Sequence, residues 1–264
     1  MTTPKLDVSA WETLFAAAAD PRIPDGERLD ALRLIRTPHI GPIAWRGLIA
    51  RCGGASAAVK AAPDMAQRGG RKARLTIAAK AQAEEELDGL ARCGGRMLLL
   101  GDPDYPPALA AIADAPPALS VIGDAGLLRR PAAALVGSRN ASLNGINIAR
   151  KLAADLAKAG AVVVSGLARG IDAAAHQGAL DAGGGTVAVV AGGVDVVYPR
   201  ENEDLQMAIG ERGAVVAESP LAAEPTARAF PRRNRVISGL SQASVIVEAA
   251  LRSGSLITAR CAGE

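Results

Sequence analysis

From residue 132 onward the chain repeats one pattern five times: a short apolar run, a break rich in small residues, then a helical stretch. The runs are Ala133–Val136, Val162–Val164, Thr186–Ala191, Ala214–Ala217 and Val245–Val247. Gly137-Ser138-Arg139, Ser165-Gly166, Gly192-Gly193, Glu218-Ser219-Pro220 and Ser253-Gly254-Ser255 follow them in turn. The runs are apolar throughout, which predicts strands buried on both faces. Strands alternating with helices pair in parallel through right-handed crossovers. The spacing predicts helices after Gly137-Ser138-Arg139 through Leu156, from about Asp172, and over Glu201–Glu211.

The fold class is therefore α/β, a doubly wound, Rossmann-like, mostly parallel sheet. Every break follows a strand, so the breaks gather along the carboxyl edge of the sheet, where such folds bind ligands. No G-x-G-x-x-G follows the first strand and no G-x-x-x-x-G-K-[ST] occurs, so the dinucleotide and P-loop readings lack their main support.

The loops offer close-approach glycines, helix starts and arginines instead. Gly137, Ser138 and Arg139 form one element; Ser165, Gly166, Arg169 and Gly170 form a second. A third, read as a basic loop, is Phe230-Pro231-Arg232-Arg233-Asn234-Arg235, with Arg228 just before it. Phe230 is one of two phenylalanines in a chain that is 2% aromatic. Arginine holds phosphates bidentately, helix N-termini add partial positive charge, and an exposed ring stacks on an unpaired base for ~1–3 kcal/mol. Duplex DNA has no unstacked base face, so single strands are the expected ligand. Each piece also has a structural explanation. On that alternative a glycine after a strand only makes a turn, Arg139 pairs with a carboxylate, and Phe230 packs in the core. Asp172 and His176 share a helix face and suit structural roles, Asp172 as a first-turn acid and His176 bonded to a neighbouring loop. Glu201, Glu218 and Glu248 near strand ends can orient the arginines.

Upstream, residues 1–90 read as a small all-α domain and residues 91–264 as the sheet domain. Leu29, Leu32 and Ile35, then Trp45, Leu48 and Ile49, have helical spacing around the turn Thr37–Pro42. This is either a helix-hairpin-helix (SAM-like) unit, whose hairpin amides meet a phosphate, or a plain αα-hairpin. A third helix is expected over Lys72–Leu90. Residues 96–130 are transitional, with short strands at Met97–Leu100 and Leu119–Gly123 around a turn-rich loop at Asp102–Pro107.

Composition narrows the class. The 264 residues suit two domains at roughly 150 residues each. Net charge is +3, but residues 95–264 carry 16 basic and 16 acidic side chains, so an anion site there must come from local clustering. Cys52, Cys93 and Cys261 are scattered and odd in number, which indicates free thiols in a reducing cytoplasm rather than disulfides or zinc. No apolar stretch approaches the ~18 residues of a membrane span, and the N-terminus lacks a secretory signal pattern.

Five motifs occur in order: Gly137-Ser138-Arg139; Ser165-Gly166-Leu167-Ala168-Arg169-Gly170-Ile171-Asp172 with His176; Ala191-Gly192-Gly193 leading to Tyr198-Pro199 and Asn202; Phe230-Pro231-x-Arg233-Asn234-Arg235; and Ser253-Gly254-Ser255-Leu256-Ile257-Thr258-Ala259-Arg260. Together they resemble the DprA (Smf) DNA-processing family over roughly residues 97–264. The resemblance implies a single-stranded DNA-binding protein that protects incoming DNA and helps load the RecA recombinase in natural transformation. It implies no cofactor and no catalysis, a homodimer, and Arg139 with the Phe230–Arg235 segment as DNA-binding residues. Arg169 is a further contact at a position where the family also uses lysine. The family continues beyond the last helix with a further strand and often a winged-helix-like domain, so the chain is expected to lack that end. The alternative is a phosphoribohydrolase of the lysine-decarboxylase-like class, whose P-G-G-x-G-T-x-x-E motif is missing at Ala191-Gly192-Gly193-Val194-Asp195.

Overall fold

The computed structural model describes residues 22–70 and 73–249 and, beyond them, residues 254, 256, 258, 261 and 263. The N-terminal stretch read for a secretory signal, Lys72, and Ser253, Ser255, Ile257, Ala259 and Arg260 of the last motif lie outside the described residues.

Among the described residues four α-helices come first: α1 (Arg28–Arg36), α2 (Pro42–Cys52), α3 (Ala55–Arg68) and α4 (Lys80–Arg92). Pro42 opens α2 at a position where its missing N–H costs nothing. Trp45 is buried, and its indole N–H donates to the Ala31 carbonyl at 2.9 Å, which fixes α2 on α1. His39 in the turn between them has φ 73°.

Two expectations need correction. The helix expected over Lys72–Leu90 starts at Lys80, because residues 74–79 take no regular structure and Thr37 Oγ1 accepts the Ala78 N–H at 3.0 Å. Helix α3 is absent from the sequence reading because Pro63 lies inside it. Burial of Ala55, Ala58 and Ala62 against α1 and α2 offsets the lost helical bond.

Among the described residues the sheet has seven strands: β1 (Gly95–Leu99), β2 (Ala118–Gly123), β3 (Ala132–Gly137), β4 (Val162–Ser165), β5 (Thr186–Val189), β6 (Ala214–Ala217) and β7 (Ala243–Val247). Their order is β1-β2-β6-β5-β4-β3-β7. The five expected strands are parallel, with Ala134 opposite Val164 and Leu135 opposite Val245. The segment read as transitional joins the same sheet antiparallel, Leu98 opposite Leu119 and Val121 opposite Val216. A short α5 (Pro107–Ala110) lies between β1 and β2.

The chain moves outward from β3 through α6 (Leu143–Lys158), β4, α7 (Ile171–Asp181), β5, α8 (Glu203–Arg212) and β6. It then returns through α9 (Ala229–Gly239) to β7 on the far side of β3. That reversal opens a crevice at the carboxyl edge. Ala149, Ala153, Ala157, Ala175 and Ala179 are buried between α6, α7 and the sheet. A Cβ at Gly178 would collide with the Arg150 backbone. Small residues here let two helices approach closely. On the other face one core runs from Leu32 and Trp45 through Leu98, Val164 and Val216 to Val236 of α9 and Leu240 just after it. The helical region and the sheet are packed as one body through it.

Candidate nucleic-acid interface

Three strand ends and one helix build the site. A Cβ at Gly137 would collide with the Val247 carbonyl, so glycine lets β7 close on the end of β3. Ser138 N–H then donates to the Glu248 carbonyl at 2.9 Å and projects Arg139 into the open. After β4 the chain turns through Leu167 (φ 58°) and Gly170 (φ 74°) into α7. Gly170 is required twice, by its φ and because a Cβ would strike the Ser138 and Arg139 carbonyls. After β5, Ala191 and Gly192 lead to Tyr198, which is 47% exposed. Asn202 ties that segment back by donating to the Leu167 carbonyl at 2.9 Å.

The basic segment is not a loop. It is the start of α9, and helical periodicity divides it. Phe230, Arg233 and Asn234 fall on the face toward the strand ends. Arg232 and Arg235 fall on another and converge on Glu218 Oε1 at 3.1 Å and 2.7 Å; Arg235 also pairs with Asp114 at 3.2 Å.

Phe230 is the centre of the assembly. The Tyr198 ring lies 5.8 Å away, tilted 56°. The Arg139 guanidinium carbon is 5.2 Å from the Phe230 centroid and that of Arg233 5.8 Å, both within cation–π range. Two clefts meet there. One of about 240 Å³ lies between Phe230, Tyr198, Arg139, Arg169, Gly166 and Gly192. Another of about 500 Å³ lies toward Gly137, Ser138, Asp172, Asn234 and Thr258, at the crevice between β3 and β7. Arg139, Ala168, Phe230 and Arg233 line both.

The arginines differ in kind. Arg139 is exposed and, among the described residues, pairs with no carboxylate. Arg233 is buried and donates to the Gly166 and Val189 carbonyls, the latter at 2.8 Å. Burial lowers its pKa; Asp172 opposes that and Arg139 adds like-charge repulsion. It stays cationic at neutral pH. Asp172 is buried too. Burial raises its pKa, while Arg233 and the amides of Ala168, Gly137 and Gly166 work the other way. Asp172 thus ties the ends of β3 and β4 together within the field of the buried arginine. Arg169 is exposed and pairs with Glu201 at 2.5 Å. Arg228 is exposed at the N-cap of α9.

His176 has separate partners from Asp172, and they lie in the sheet rather than in a neighbouring loop. Its Nδ1 lies 2.7 Å from Thr186 Oγ1, whose own hydrogen goes to the Val163 carbonyl, so Nδ1 is the donor. Burial, with a smaller contribution from Arg233, lowers its pKa to about 3. A neutral, fully buried imidazole suits packing, not proton transfer. Glu218 and Glu201 orient arginines, and Glu248 instead accepts from the Ser142 N–H and hydroxyl at the start of α6. The Gly193 N–H is used internally, on the Ala223 carbonyl at 2.9 Å, rather than presented to a phosphate. Among the described residues no cluster of three His, Cys, Asp or Glu side chains could hold a metal, and no helix is long and apolar enough to cross a membrane.

The structure therefore gathers Gly137, Ser138, Arg139, Gly166, Arg169, Phe230, Arg233 and Asn234 around the clefts. Ser165 is buried behind them, its hydroxyl on the Leu135 carbonyl at 2.5 Å. Tyr198 is the wall residue that sequence reasoning did not place in the site. Its signal was present: it is one of two tyrosines and sits inside a quoted motif.

Residues 96–264 match the family described as DNA recombination-mediator protein A, and residues 25–89 a DprA-like N-terminal HHH domain. Protein Smf of Escherichia coli (strain K12) is 48% identical over 161 residues, 61% of this chain and 43% of that protein. DNA processing protein DprA of Streptococcus pneumoniae is 45% identical over 163 residues, 62% of this chain and 57% of that protein. The chain thus spans about half the length of the curated relatives it matches. The solved structure of DprA from Streptococcus pneumoniae shares the fold with a TM-score of 0.67 and 30% identity, covering 98% of this chain and 84% of that one. A second, with TM-score 0.57 and 33% identity over 63% of this chain and 75% of the other, is described as giving insight into the single-stranded DNA binding mode of DNA processing protein A from Helicobacter pylori. By motif, fold and family match, this chain belongs to the DNA recombination-mediator protein A (DprA/Smf) family.

Proposed function

We propose that the chain binds single-stranded DNA across the two clefts, as a recombination mediator without catalytic activity or cofactor. The observation that carries this is the half-buried Phe230 ring between Tyr198 and Arg139, with Arg139 lacking a carboxylate partner among the described residues. An aromatic ring beside an uncompensated guanidinium suits a base and its phosphate together. The Helicobacter pylori relative, whose description names single-stranded DNA binding, supports the same ligand. In this reading residues 91–264 carry the site and residues 1–90 support it. Arg139, Arg169, Arg228, Phe230 and Arg233 act on the DNA. The wider role in this reading is the one the family resemblance suggests: protecting incoming DNA in the cytoplasm, as a homodimer, and helping RecA onto it during natural transformation.

The test is a salt-dependent titration with single-stranded and duplex oligonucleotides. Tighter single-strand binding is expected, with log affinity falling as log salt rises. Equal affinity for duplex, or release of free base from a nucleoside monophosphate, contradicts the reading.

A further inference from the structure

Two arginines of the helical region reach the two elements on which α9 rests. Arg36, at the end of α1, pairs with Glu86 of α4 (Nη2 to Oε1 2.6 Å, Nε to Oε2 2.9 Å) and donates Nη1 to the Glu218 carbonyl at 3.0 Å. The carboxylate of Glu218 in turn accepts from Arg232 and Arg235 of α9. Leu221, three residues on, packs on α4, where a Cβ at Gly89 would lie 2.9 Å from its Cδ1. Arg46 of α2 donates to the carbonyls of Ala110 (2.8 Å), Ile112 (3.1 Å) and Ala113 (2.9 Å). Ile112 and Leu109 lie directly under Gly239 of α9, and Asp114 pairs with Arg235. The side chains of Arg36, Glu86, Glu218 and Arg235 are each about nine-tenths buried, so these bonds act in a low local dielectric.

We propose that Arg36, Arg46 and Glu218 are positioning residues for the cleft. Through them the helical region sets where α9 sits, and so where Phe230 and Arg233 lie relative to Arg139 and Tyr198. A helix shifts as a unit, so what grips its Glu218 face also moves its cleft face. The inference rests on the cleft being the DNA site.

Electrostatics alone predicts the opposite sign for one change. Glu218→Gln removes a negative charge beside two arginines, which by field effects alone tightens DNA binding. Positioning predicts that it weakens.

The experiment uses the full chain and has two arms. In the first, Glu218→Gln and Arg36→Ala are titrated with an oligothymidylate. Each is expected to weaken binding about tenfold with the salt slope unchanged, and the double variant to be no weaker than either single one, because they lie on one path. In the second, amide hydrogen exchange is followed without DNA. Arg36→Ala is expected to speed exchange over 229–239 and leave β4 and β5 unchanged. Tighter binding by Glu218→Gln, additive losses in the double variant, or unchanged exchange over α9 overturns the proposal. Wild-type protein that fails to bind the oligothymidylate overturns the functional reading instead, and the exchange arm then decides the mechanical link alone. If Arg36→Ala does not fold, the Arg36→Met, Glu86→Met pair replaces it. Both charges then leave together, so neither stays buried unpaired.

Discussion

On one side of α9, Glu218 and Asp114 neutralise Arg232 and Arg235; on the other, Arg139 and Arg233 approach the Phe230 ring, with the buried Asp172 beneath them. Both sides are rich in arginine, and both draw on the same six-residue segment. What separates them is where the carboxylate sits. Beside Glu218 the charges close on one another and the result is a structural clamp. In the cleft the carboxylate is buried and held by backbone amides, and Arg139 is left with a ring for a neighbour. A cation in that condition attracts an anion from outside. Counting arginines along the chain does not reveal this; the helical phase of α9 does.

Four changes break or sharpen the contrast, the first of them the largest. Arg233→Ala leaves the Gly166 and Val189 carbonyls buried without their donor and removes the cation whose field favours the buried Asp172 carboxylate, which costs ~3–5 kcal/mol of stability. Urea unfolding measures it, and adding Asp172→Asn is expected to recover part of the loss. Arg232→Ala, on the clamp side, removes a side chain that is 64% exposed and is expected to cost at most ~1 kcal/mol.

Acid should loosen the packing of α7 on the sheet behind the cleft. His176 has a folded pKa of about 3 against an ordinary 6.5. The unfolded chain therefore takes up the proton first, and stability is lost as pH falls from 6.5 toward 3. Between pH 7 and pH 4 the loss from this group is about 3 kcal/mol. Unfolding midpoints at the two pH values measure it, and His176→Gln should flatten the dependence. Phe230→Ala is expected to weaken single-strand binding by ~1–3 kcal/mol with little change in salt slope. Titration at two salt concentrations distinguishes that from a lost phosphate contact.

The fold was largely legible because its signal is repetitive. Five apolar runs and their small-residue breaks predict the parallel strands and the edge where the site lies. Helix α3 was hidden by Pro63, whose local cost is outweighed by burial of an alanine face that only the packed structure reveals. Strands β1 and β2 were seen as strands but not as sheet members, since short apolar runs do not encode their pairing. At the site, Gly137, Arg139 and Phe230 were legible from residue chemistry. The division of Arg232 and Arg235 from Arg233 was not, because a proline at position 231 and the polar run after it read as a loop. Only as a helix do positions 230, 233 and 234 share a face.

The central claim is that the cleft side, not the clamp side, meets the phosphates. The direct test compares the slope of log affinity against log salt for Arg139→Ala and Arg232→Ala on the same single-stranded oligonucleotide. Each lost phosphate contact on a single strand flattens that slope by about 0.7. Arg139→Ala is predicted to flatten it by roughly that amount and Arg232→Ala to leave it unchanged. A flattened slope in Arg232→Ala with none in Arg139→Ala would contradict the account.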